Sequence, residues 1–337
     1  MRSSASDARA LVICTGGGIG DSLFASIVGR ALHHRYASVD TLTLPGHREA
    51  LERVPDFDGV IADDGGDERA LAAELARRAY AAAVVTWATP RAARTAWRAR
   101  IPVRVGQARR LYSGLFTERV VVRSERGDVT SHWTQILLDY ARALDCDSED
   151  RRPRFVPTER DVAEALAVME RNGLSSGNFV ILHPCNAIAR RVVWPTSGWT
   201  ALARAIAEQF GTTVAVSGSD EEDAIVRTIA GPSILSLAGA TSIGGFGALA
   251  RHARAFVGIT TGSMHVAAAV GCPTVGIFPF QSDFPERWAP IGERTEIVRS
   301  SYPCRRGDRK ERCRAAYACI EHLDVTRIIA ALKVLVR

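Results

Sequence analysis

The chain contains 337 residues, of which 47% are hydrophobic and 24% charged, and these are ordinary values for a globular protein. At about 150 residues per domain, this length predicts two domains. The net charge of +6 is too small to indicate nucleic-acid binding by itself, and it suits an anionic small substrate or a membrane surface equally well. Because no run of 18 apolar residues occurs, no segment is predicted to span a bilayer.

The N-terminus and the cysteines indicate a cellular location. Residues 1–10 are polar and lead directly into a strand, so we expect no signal peptide. Seven cysteines are an odd number and lie scattered along the chain, which is typical of reduced thiols. We therefore expect a cytoplasmic protein, and a position at the inner face of the membrane is left open.

A glycine run connects the first predicted strand to the first predicted helix. The strand covers Ala10–Cys14, and Thr15-Gly-Gly-Gly-Ile-Gly-Asp21 follows it. The glycine spacing does not fit a dinucleotide fingerprint, although Asp40 lies about 20 residues further on. Because glycines have no side chains, the run leaves space at the end of the strand. It places Asp21 at the helix start, where the helix dipole stabilises a carboxylate. Simple capping of the helix by Asp21 is the alternative.

Strands and helices alternate through the rest of the first half. The elements predicted here are strands at residues 39–44, 60–61 and 81–86 and a helix at residues 67–80. This alternation indicates a parallel, doubly wound sheet. The segment 91–110 is then rich in arginine, with aromatic residues in and around it, and it could bind an anionic acceptor. We assign that role to Arg98 and Arg104, with a solvated basic face as the alternative.

The second half repeats the alternation after a charged, proline-bearing segment at residues 145–157, which predicts a domain boundary. The predicted domains are 1–155 and 156–322, and the final helix at 323–337 is a candidate to pack back on the first domain. Ligands of doubly wound sheets bind at the carboxyl ends of the strands. Every loop singled out here follows a strand, so the candidate residues should lie at that edge.

One turn in the second half has the features of an anion site. A buried strand at 255–259 precedes it, and a short helix of small residues follows it. The residues of the turn and of the first helical turn are Thr260, Thr261, Gly262, Ser263 and His265. Free backbone N–H groups and the dipole at a helix N-terminus favour an anion. We interpret the turn as a diphosphate site, and an ordinary capped strand–helix turn is the alternative.

Several short motifs occur in order along nearly the whole chain. They are Gly18-Ile-Gly-Asp21, His183-Pro, Trp194-Pro195, Leu237-Ala-Gly239, Thr261-Gly262-x-x-His265-x-Ala-Ala and Gly271-x-Pro-Thr-Val. Together they resemble the heptosyltransferase family, inverting glycosyltransferases known for adding ADP-heptose to the lipopolysaccharide inner core. The resemblance implies an α/β fold of two Rossmann-like, doubly wound domains that face a cleft, the GT-B fold. It also implies transfer of a heptose to an acceptor hydroxyl.

The resemblance further implies roles for matching residues. Asp21 would be the general base that takes the proton of the acceptor hydroxyl. Arg190 or Arg191 would reach the phosphates, and one of Asp220, Glu221 and Glu222 would contact the donor. The donor and phosphate contacts that we assign are Gly20, Arg190, Arg191, Glu222, Thr260, Thr261, Gly262, Ser263 and His265. Such enzymes generally need no metal and no cofactor besides the nucleotide-diphospho-sugar donor, because protein groups stabilise the leaving diphosphate.

The chain departs from the family pattern in three places. Thr260 stands where the family has an acidic residue, and Cys185 stands where a glycine usually follows His-Pro. Arg191 lies one place further from Trp194 than usual. These departures indicate a divergent member of the family, whose donor nucleotide and sugar are left open. The acceptor is open among glycans, lipid-linked molecules and small molecules, with peripheral membrane contact also open.

Three other classes of function remain as alternatives. The first is a catalytically idle sugar-nucleotide-binding protein of the same fold, and the second is an epimerase of that fold. The third is nucleic-acid binding, which has only the arginine-rich segment in its favour and is not expected.

Overall fold

The structure, a computed structural model, describes residues 6–185, 194–231, 234–280, 284–303, 313 and 318–336. The chain separates into two compact units, Met1–Phe155 and Val156–Arg337. The division between them falls inside the charged segment at residues 145–157. Within the described residues, no helix is both long enough and apolar enough to cross a lipid bilayer.

A parallel six-stranded sheet forms the centre of the first unit. Its strands are β1 (Ser6–Cys14), β2 (Tyr36–Thr43), β3 (Gly59–Ala62), β4 (Tyr80–Val85), β5 (Val103–Gln107) and β6 (Glu118–Val120). Their order across the sheet is β3-β2-β1-β4-β5-β6, so the winding direction reverses between β1 and β4. In the register of the sheet, Cys14 pairs with Thr43 and Ile13 pairs with Val85. The carboxyl ends of β1, β2 and β4 are therefore level with one another.

In the described part of the first unit, five α-helices connect or cover these strands. They are α1 (Ile19–Leu32), α2 (Pro45–Leu51), α3 (Glu68–Arg77), α4 (Pro90–Arg98) and α5 (Trp133–Arg142). Helix α1 is buried almost throughout because β1 and β2 lie on one side of it and α5 packs on another. Helix α4 begins where Thr89 caps the backbone N–H of Ala92 and Pro90 takes the first helical position.

The second unit is built on another parallel six-stranded sheet. Its strands are β7 (Phe179–His183), β8 (Thr213–Gly218), β9 (Ile234–Ala238), β10 (Ala255–Ile259), β11 (Thr274–Phe278) and β12 (Thr295–Arg299). Their order is β9-β8-β7-β10-β11-β12, which is the order of the first sheet repeated. The winding direction therefore reverses between β7 and β10, where His183 pairs with Gly258. Each unit has one such switch point, and ligands of this fold bind beside it.

The helices of the second unit are α6 (Glu159–Arg171), α7 (Thr196–Phe210), α8 (Asp223–Ile229), α9 (Ile243–His252), α10 (Gly262–Ala269), α11 (Pro285–Trp288), α12 (Ala318–Glu321) and α13 (Val325–Leu335). Helix α13 begins at the cap Asp324, whose carboxylate accepts from the N–H of Thr326. Its buried residues Ile328 and Leu332 join the core formed with α7 and the strands β10 to β12. The additional contact of this helix with the first domain stays a prediction.

The α/β class with two doubly wound parallel sheets, predicted from the sequence, is confirmed. The sequence pattern does not predict β5, β6 and β12. Strand β5 carries Arg104 and Gly106 inside five residues, and β6 has only three residues, two of them charged. Strands β6 and β12 lie at the outer edges of their sheets, where one side of the strand stays exposed and the apolar pattern is weak.

Candidate active site

Asp21 lies at the carboxyl edge of the first sheet, at the switch point. Strand β1 ends at Cys14, the glycine loop follows, and Asp21 is the third residue of α1. Its Oδ2 atom accepts a hydrogen bond of 2.8 Å from the backbone N–H of Gly18. Gly17 has a φ of +72°, and a Cβ atom there would lie 2.4 Å from Oδ2 of Asp21. The loop therefore needs glycine at position 17, both for its backbone conformation and for the space that the carboxylate occupies.

The second carboxylate oxygen of Asp21 differs from the first. Oδ1 is buried and has no hydrogen-bond partner among the described residues. Burial raises the pKa of Asp21 above its ordinary value, and the hydrogen bond from Gly18 only partly opposes this effect. An oriented carboxylate with one uncommitted oxygen and increased basicity is suited to accept a proton.

Side chains from three neighbouring strand ends contact the glycine loop or Ser22, which follows Asp21. Trp87 follows β4 and lies against Gly16, where an added Cβ atom would be 2.1 Å from the indole Nε1. Ser22, the neighbour of Asp21 on α1, is fully buried and lies 2.9 Å from Nδ1 of His47 on α2. Cys14 ends β1, with its sulfur 3.7 Å from the Ser22 hydroxyl oxygen, and burial raises the pKa of its thiol to about 11.

The predicted anion-binding turn follows β10 at the carboxyl edge of the second sheet. Thr261 is the N-cap of α10, but its hydroxyl donates to the carbonyl of Ile259 and does not cap the helix. The first N–H groups of α10, beginning at Gly262 and Ser263, consequently have no side-chain cap. The hydroxyl oxygen of Thr260 is buried without a partner among the described residues. These donors are what an anionic group at this turn would contact.

Two histidines lie near this edge of the second sheet. His265 is in the first turn of α10 and is 7% exposed, and its backbone N–H donates to the carbonyl of Thr261. His183 ends β7, stacks on Phe256 and places Nδ1 3.0 Å from the hydroxyl oxygen of Ser217. Burial lowers the pKa of His183 to about 4, so this ring is neutral at physiological pH.

Two of the three candidate carboxylates in the acidic turn after β8 have different surroundings. Glu222 accepts a hydrogen bond of 2.8 Å from the N–H of Ser219. Its charge, together with burial, raises the pKa of the Cys185 thiol to about 12, which places Glu222 beside the end of β7. Asp220 lies instead against Gly239, where an added Cβ atom would be 1.5 Å from its Oδ1. Of the two, Glu222 is the carboxylate nearer to the switch point.

The two arginines expected to bind the acceptor have partners inside the first unit. Arg98 forms an ion pair with Glu68, which is mostly buried. Arg104 donates to the carbonyls of Leu115 and of Ile101, in the loop that precedes β5. That loop is at the amino end of the strand, opposite to the edge that carries Asp21. The geometry does not favour Arg98 and Arg104 as acceptor ligands.

Three further candidate donor contacts are Arg190, Arg191 and Gly20. Arg190 and Arg191 lie outside the described residues. Gly20 is buried in the first turn of α1, next to Asp21, and its contact with the donor stays a prediction. Sequence reasoning did not single out Ser22 and His47. Their positions in the sequence could have indicated them, since Ser22 adjoins Asp21 and His47 follows β2. Neither residue belongs to one of the motifs, however.

The candidate site at the first sheet is thus a carboxylate with one buried, unpartnered oxygen, and the candidate site at the second is a helix N-terminus without a side-chain cap. Both occupy the position where nucleotide-binding α/β folds hold their ligands. The family model for glycosyltransferase family 9 (heptosyltransferase) matches residues 68–318. The chain belongs to this family, as the resemblance of its motifs predicts.

Individual relatives agree with this assignment. A segment of 108 residues is 32% identical to lipopolysaccharide heptosyltransferase 3 of Escherichia coli, and it covers 30% of the chain and 31% of that relative. The ADP-heptose lipopolysaccharide heptosyltransferase II of E. coli shares the fold, with a TM-score of 0.78, 21% identity and coverage of 97% of this chain and 98% of that one. A family 9 glycosyl transferase from Veillonella parvula has a TM-score of 0.84 and 14% identity, over 100% of this chain and 99% of that one.

Proposed function

We propose that this protein is an inverting glycosyltransferase that moves a heptose from ADP-heptose to a hydroxyl of a lipopolysaccharide-core glycan. Membership of family 9 and the activities for which the relatives are named support the donor and the acceptor class. The observation that carries the proposal is the Asp21 carboxylate, which has one oxygen held by Gly18 and the other buried and unpartnered.

The reaction needs a base at the acceptor and a leaving diphosphate at the donor. In our proposal, Oδ1 of Asp21 takes the proton of the acceptor hydroxyl while that oxygen attacks the anomeric carbon. The bond from this carbon to the diphosphate oxygen breaks on the opposite face, and ADP departs with the bonding electrons. One displacement inverts the anomeric centre. Base catalysis of this kind contributes about 10²–10⁴-fold to the rate.

The second unit would hold the donor. The N–H groups of Gly262 and Ser263 at the start of α10 would stabilise the negative charge that develops on the diphosphate. The Thr260 hydroxyl, unpartnered among the described residues, would add a donor, and Glu222 would accept from a nucleotide hydroxyl. Arg190 or Arg191 would supply positive charge. With these groups in place, we propose that transfer proceeds without a metal ion.

A patch on the first unit supports a peripheral contact with an anionic membrane. The loops after β5 and β6 touch where Arg109 donates to the carbonyl of Glu125. Between them they expose the side chains of Arg109, Leu111, Arg126 and Val129, and Leu111 is fully exposed. Cationic groups around an apolar side chain suit a surface of anionic lipids. This patch is at the same edge of the sheet as Asp21. In our proposal it therefore approaches the acceptor, in place of Arg98 and Arg104.

The membrane contact can be tested by flotation with vesicles that contain anionic lipid. We expect the protein to float with such vesicles at low salt and the variant Leu111→Ser combined with Arg109→Ala to float much less. The matched control is Leu166→Ser, at an exposed leucine on α6 of the second unit. Equal flotation of all three proteins would contradict the contact.

The transfer itself is tested with ADP-heptose and lipopolysaccharide-core oligosaccharides that lack heptose. We expect a product heavier by one heptose, with NMR showing the anomeric configuration inverted relative to the donor. The idle-protein alternative has some support from Thr260 and Cys185, which replace residues usual in the family. Tight ADP binding with neither transfer nor hydrolysis would favour that alternative over ours.

A further inference from the structure

His47 contacts Ser22, the residue that follows Asp21 in α1, and the proposed mechanism does not use it. It is the third residue of α2, which begins directly after β2 at the carboxyl edge of the first sheet. The ring is half-buried, whereas Pro45 and Gly46 before it are exposed. Nδ1 lies 2.9 Å from the hydroxyl oxygen of Ser22. In the part of the chain that the structure describes, no partner of Nε2 is found.

The hydrogen bonds of Ser22 and Cys14 bear on which ring nitrogen of His47 carries the proton. The Cys14 thiol stays protonated because burial raises its pKa to about 11. Its sulfur lies 3.7 Å from the Ser22 oxygen, so the thiol can donate to this hydroxyl. In this arrangement the Ser22 hydroxyl would donate to Nδ1 of the neutral ring, and the ring proton would be on Nε2. Burial also lowers the pKa of His47, which keeps the ring neutral at physiological pH.

The result would be an oriented hydrogen-bond donor on a ring that contacts Ser22, the chain neighbour of Asp21. Ser22 is adjacent to Asp21 in α1, and it is 0% exposed, so it anchors the imidazole rigidly to the helix that carries the base. We propose that the Nε2–H group of His47 donates a hydrogen bond to the acceptor next to its attacking hydroxyl and so orients that hydroxyl toward Asp21. Ser22 is the positioning residue that holds the imidazole. This inference rests on the proposed function, because it requires an acceptor hydroxyl at Asp21.

Kinetics of substituted enzymes test the contact. We expect His47→Ala to lower kcat/KM for the acceptor about tenfold, the usual worth of one neutral hydrogen bond, and to leave ADP affinity unchanged. His47→Gln should recover most of the loss, because its amide N–H reaches the position of Nε2. Ser22→Ala should give an intermediate loss. The matched control is Arg48→Ala at the next residue, whose exposed side chain pairs with Glu52.

The proposal is overturned if His47→Ala retains kcat/KM within twofold of the unsubstituted protein. It is also overturned if both His47 variants lose activity equally and lower the thermal midpoint, since that result indicates a purely structural role.

A second measurement is independent of catalysis. Long-range ¹H–¹⁵N NMR of the imidazoles should show His47 protonated at Nε2, and Ser22→Ala should remove this preference. A proton on Nδ1 in the unsubstituted protein would refute the inference even if transfer occurs. If the protein transfers no sugar at all, the proposed function fails, while the NMR result still decides the state of His47.

Discussion

At the scale of single residues, the site combines a requirement of catalysis with a cost in folding. A general base needs an oxygen that is not already hydrogen-bonded, and Oδ1 of Asp21 meets this condition because it is buried without a partner among the described residues. The same burial raises the pKa of Asp21, so ionisation is less favourable in the folded chain than in the unfolded one. The charge of Asp21 at neutral pH therefore reduces the stability of the fold while it supplies basicity.

The substitution Asp21→Asn separates these two effects. The amide cannot accept the acceptor proton as a carboxylate does, so we expect transfer to fall by about 10²–10⁴-fold. The thermal midpoint should rise at neutral pH, because a desolvated charge is removed and the amide oxygen can still accept from Gly18. The difference in midpoint should vanish below the ordinary pKa of aspartate, 3.8, where Asp21 is neutral in both folded and unfolded chains.

Activity assays and thermal unfolding across pH measure both changes. The matched control is Asp145→Asn at an exposed aspartate with a φ of +58°, a conformation that asparagine also tolerates. This control should retain full activity and an unchanged midpoint. A fully active Asp21→Asn enzyme would eliminate Asp21 as the base.

The pH profile of transfer follows from the direction of the same shift. The base must be ionised, so kcat/KM for the acceptor should increase as pH rises through the pKa of Asp21, with the midpoint of this limb above 3.8. His47 also titrates below neutrality, because burial lowers its pKa. Repeating the profile with His47→Gln removes that contribution, and the acid limb should persist. A limb that disappears in this variant would assign the titration to the histidine.

Gly17 provides a test of the loop that positions the carboxylate. In Gly17→Ala the new Cβ atom would lie 2.4 Å from Oδ2 of Asp21, and the backbone would keep a φ of +72°. We expect at least a tenfold loss of transfer, together with a destabilisation of about 1–2 kcal/mol from the left-handed conformation. Gly65→Ala is the control, since Gly65 has a φ of +81° but no atom within 4 Å of an added Cβ. It should lose similar stability, measured by urea unfolding, and no activity.

At the scale of elements, one buried ion pair joins α1 to the segments around it. The guanidinium of Arg30 donates to both carboxylate oxygens of Asp56, at 2.9 and 2.7 Å, and both residues are at least nine-tenths buried. It also donates to the carbonyls of Asp150 and Arg152, just before the end of the first unit. Helix α1, which carries Asp21, is thereby fastened to the last residues of its own unit.

Removal of Arg30 should be costly because it leaves Asp56 charged and buried without its main partner. We expect Arg30→Met to destabilise the fold by about 3–5 kcal/mol in urea unfolding. Adding Asp56→Leu should recover much of this loss, because the unpaired charge is gone. The control Arg227→Ala breaks an exposed pair with Asp223 on α8 and should change stability by less than about 0.5 kcal/mol. A small effect of Arg30→Met would show that water reaches Asp56.

The elements also show how much of the fold and of the site can be predicted from the sequence. Buried central strands such as β1, β7 and β10 are continuous apolar runs, so both sheets and their parallel class are predictable. Asp21 and the Thr260–Ser263 turn are predictable because glycine and hydroxyl residues directly follow such strands. Edge strands lack this pattern. The partners of Arg98 and Arg104 depend on segments distant in sequence or on loop carbonyls, which a single sequence does not reveal.

At the scale of the whole molecule, the chain builds the same strand order twice, and in our proposal each switch point has a different chemical task. The first carries the carboxylate with its neighbours Ser22 and His47. The second carries the uncapped start of α10 and the Glu222 turn. This division of labour predicts that a nucleotide stabilises the protein through groups of the second unit, without help from Asp21.

Thermal unfolding with nucleotides tests this division. We expect ADP at about 100 times its Kd to add about 2.7 kcal/mol of stability, and UDP or GDP at the same concentration to add less. Glu222→Gln should reduce the ADP effect, whereas Glu221→Gln and Asp21→Asn should preserve it. Loss of the ADP effect in Asp21→Asn would contradict the separate roles of the two switch points.

The repeated strand order has a consequence for synthesis on the ribosome. In each half the first strand to emerge, β1 or β7, occupies the middle of its finished sheet, between a neighbour made soon after it and one made much later. Strand β1 ends at Cys14 and β4 begins at Tyr80, while β7 ends at His183 and β10 begins at Ala255. Until the later strand is translated, this central strand of each half has an open side that can pair with other nascent chains. The protein passes through this exposed stage twice during each round of translation.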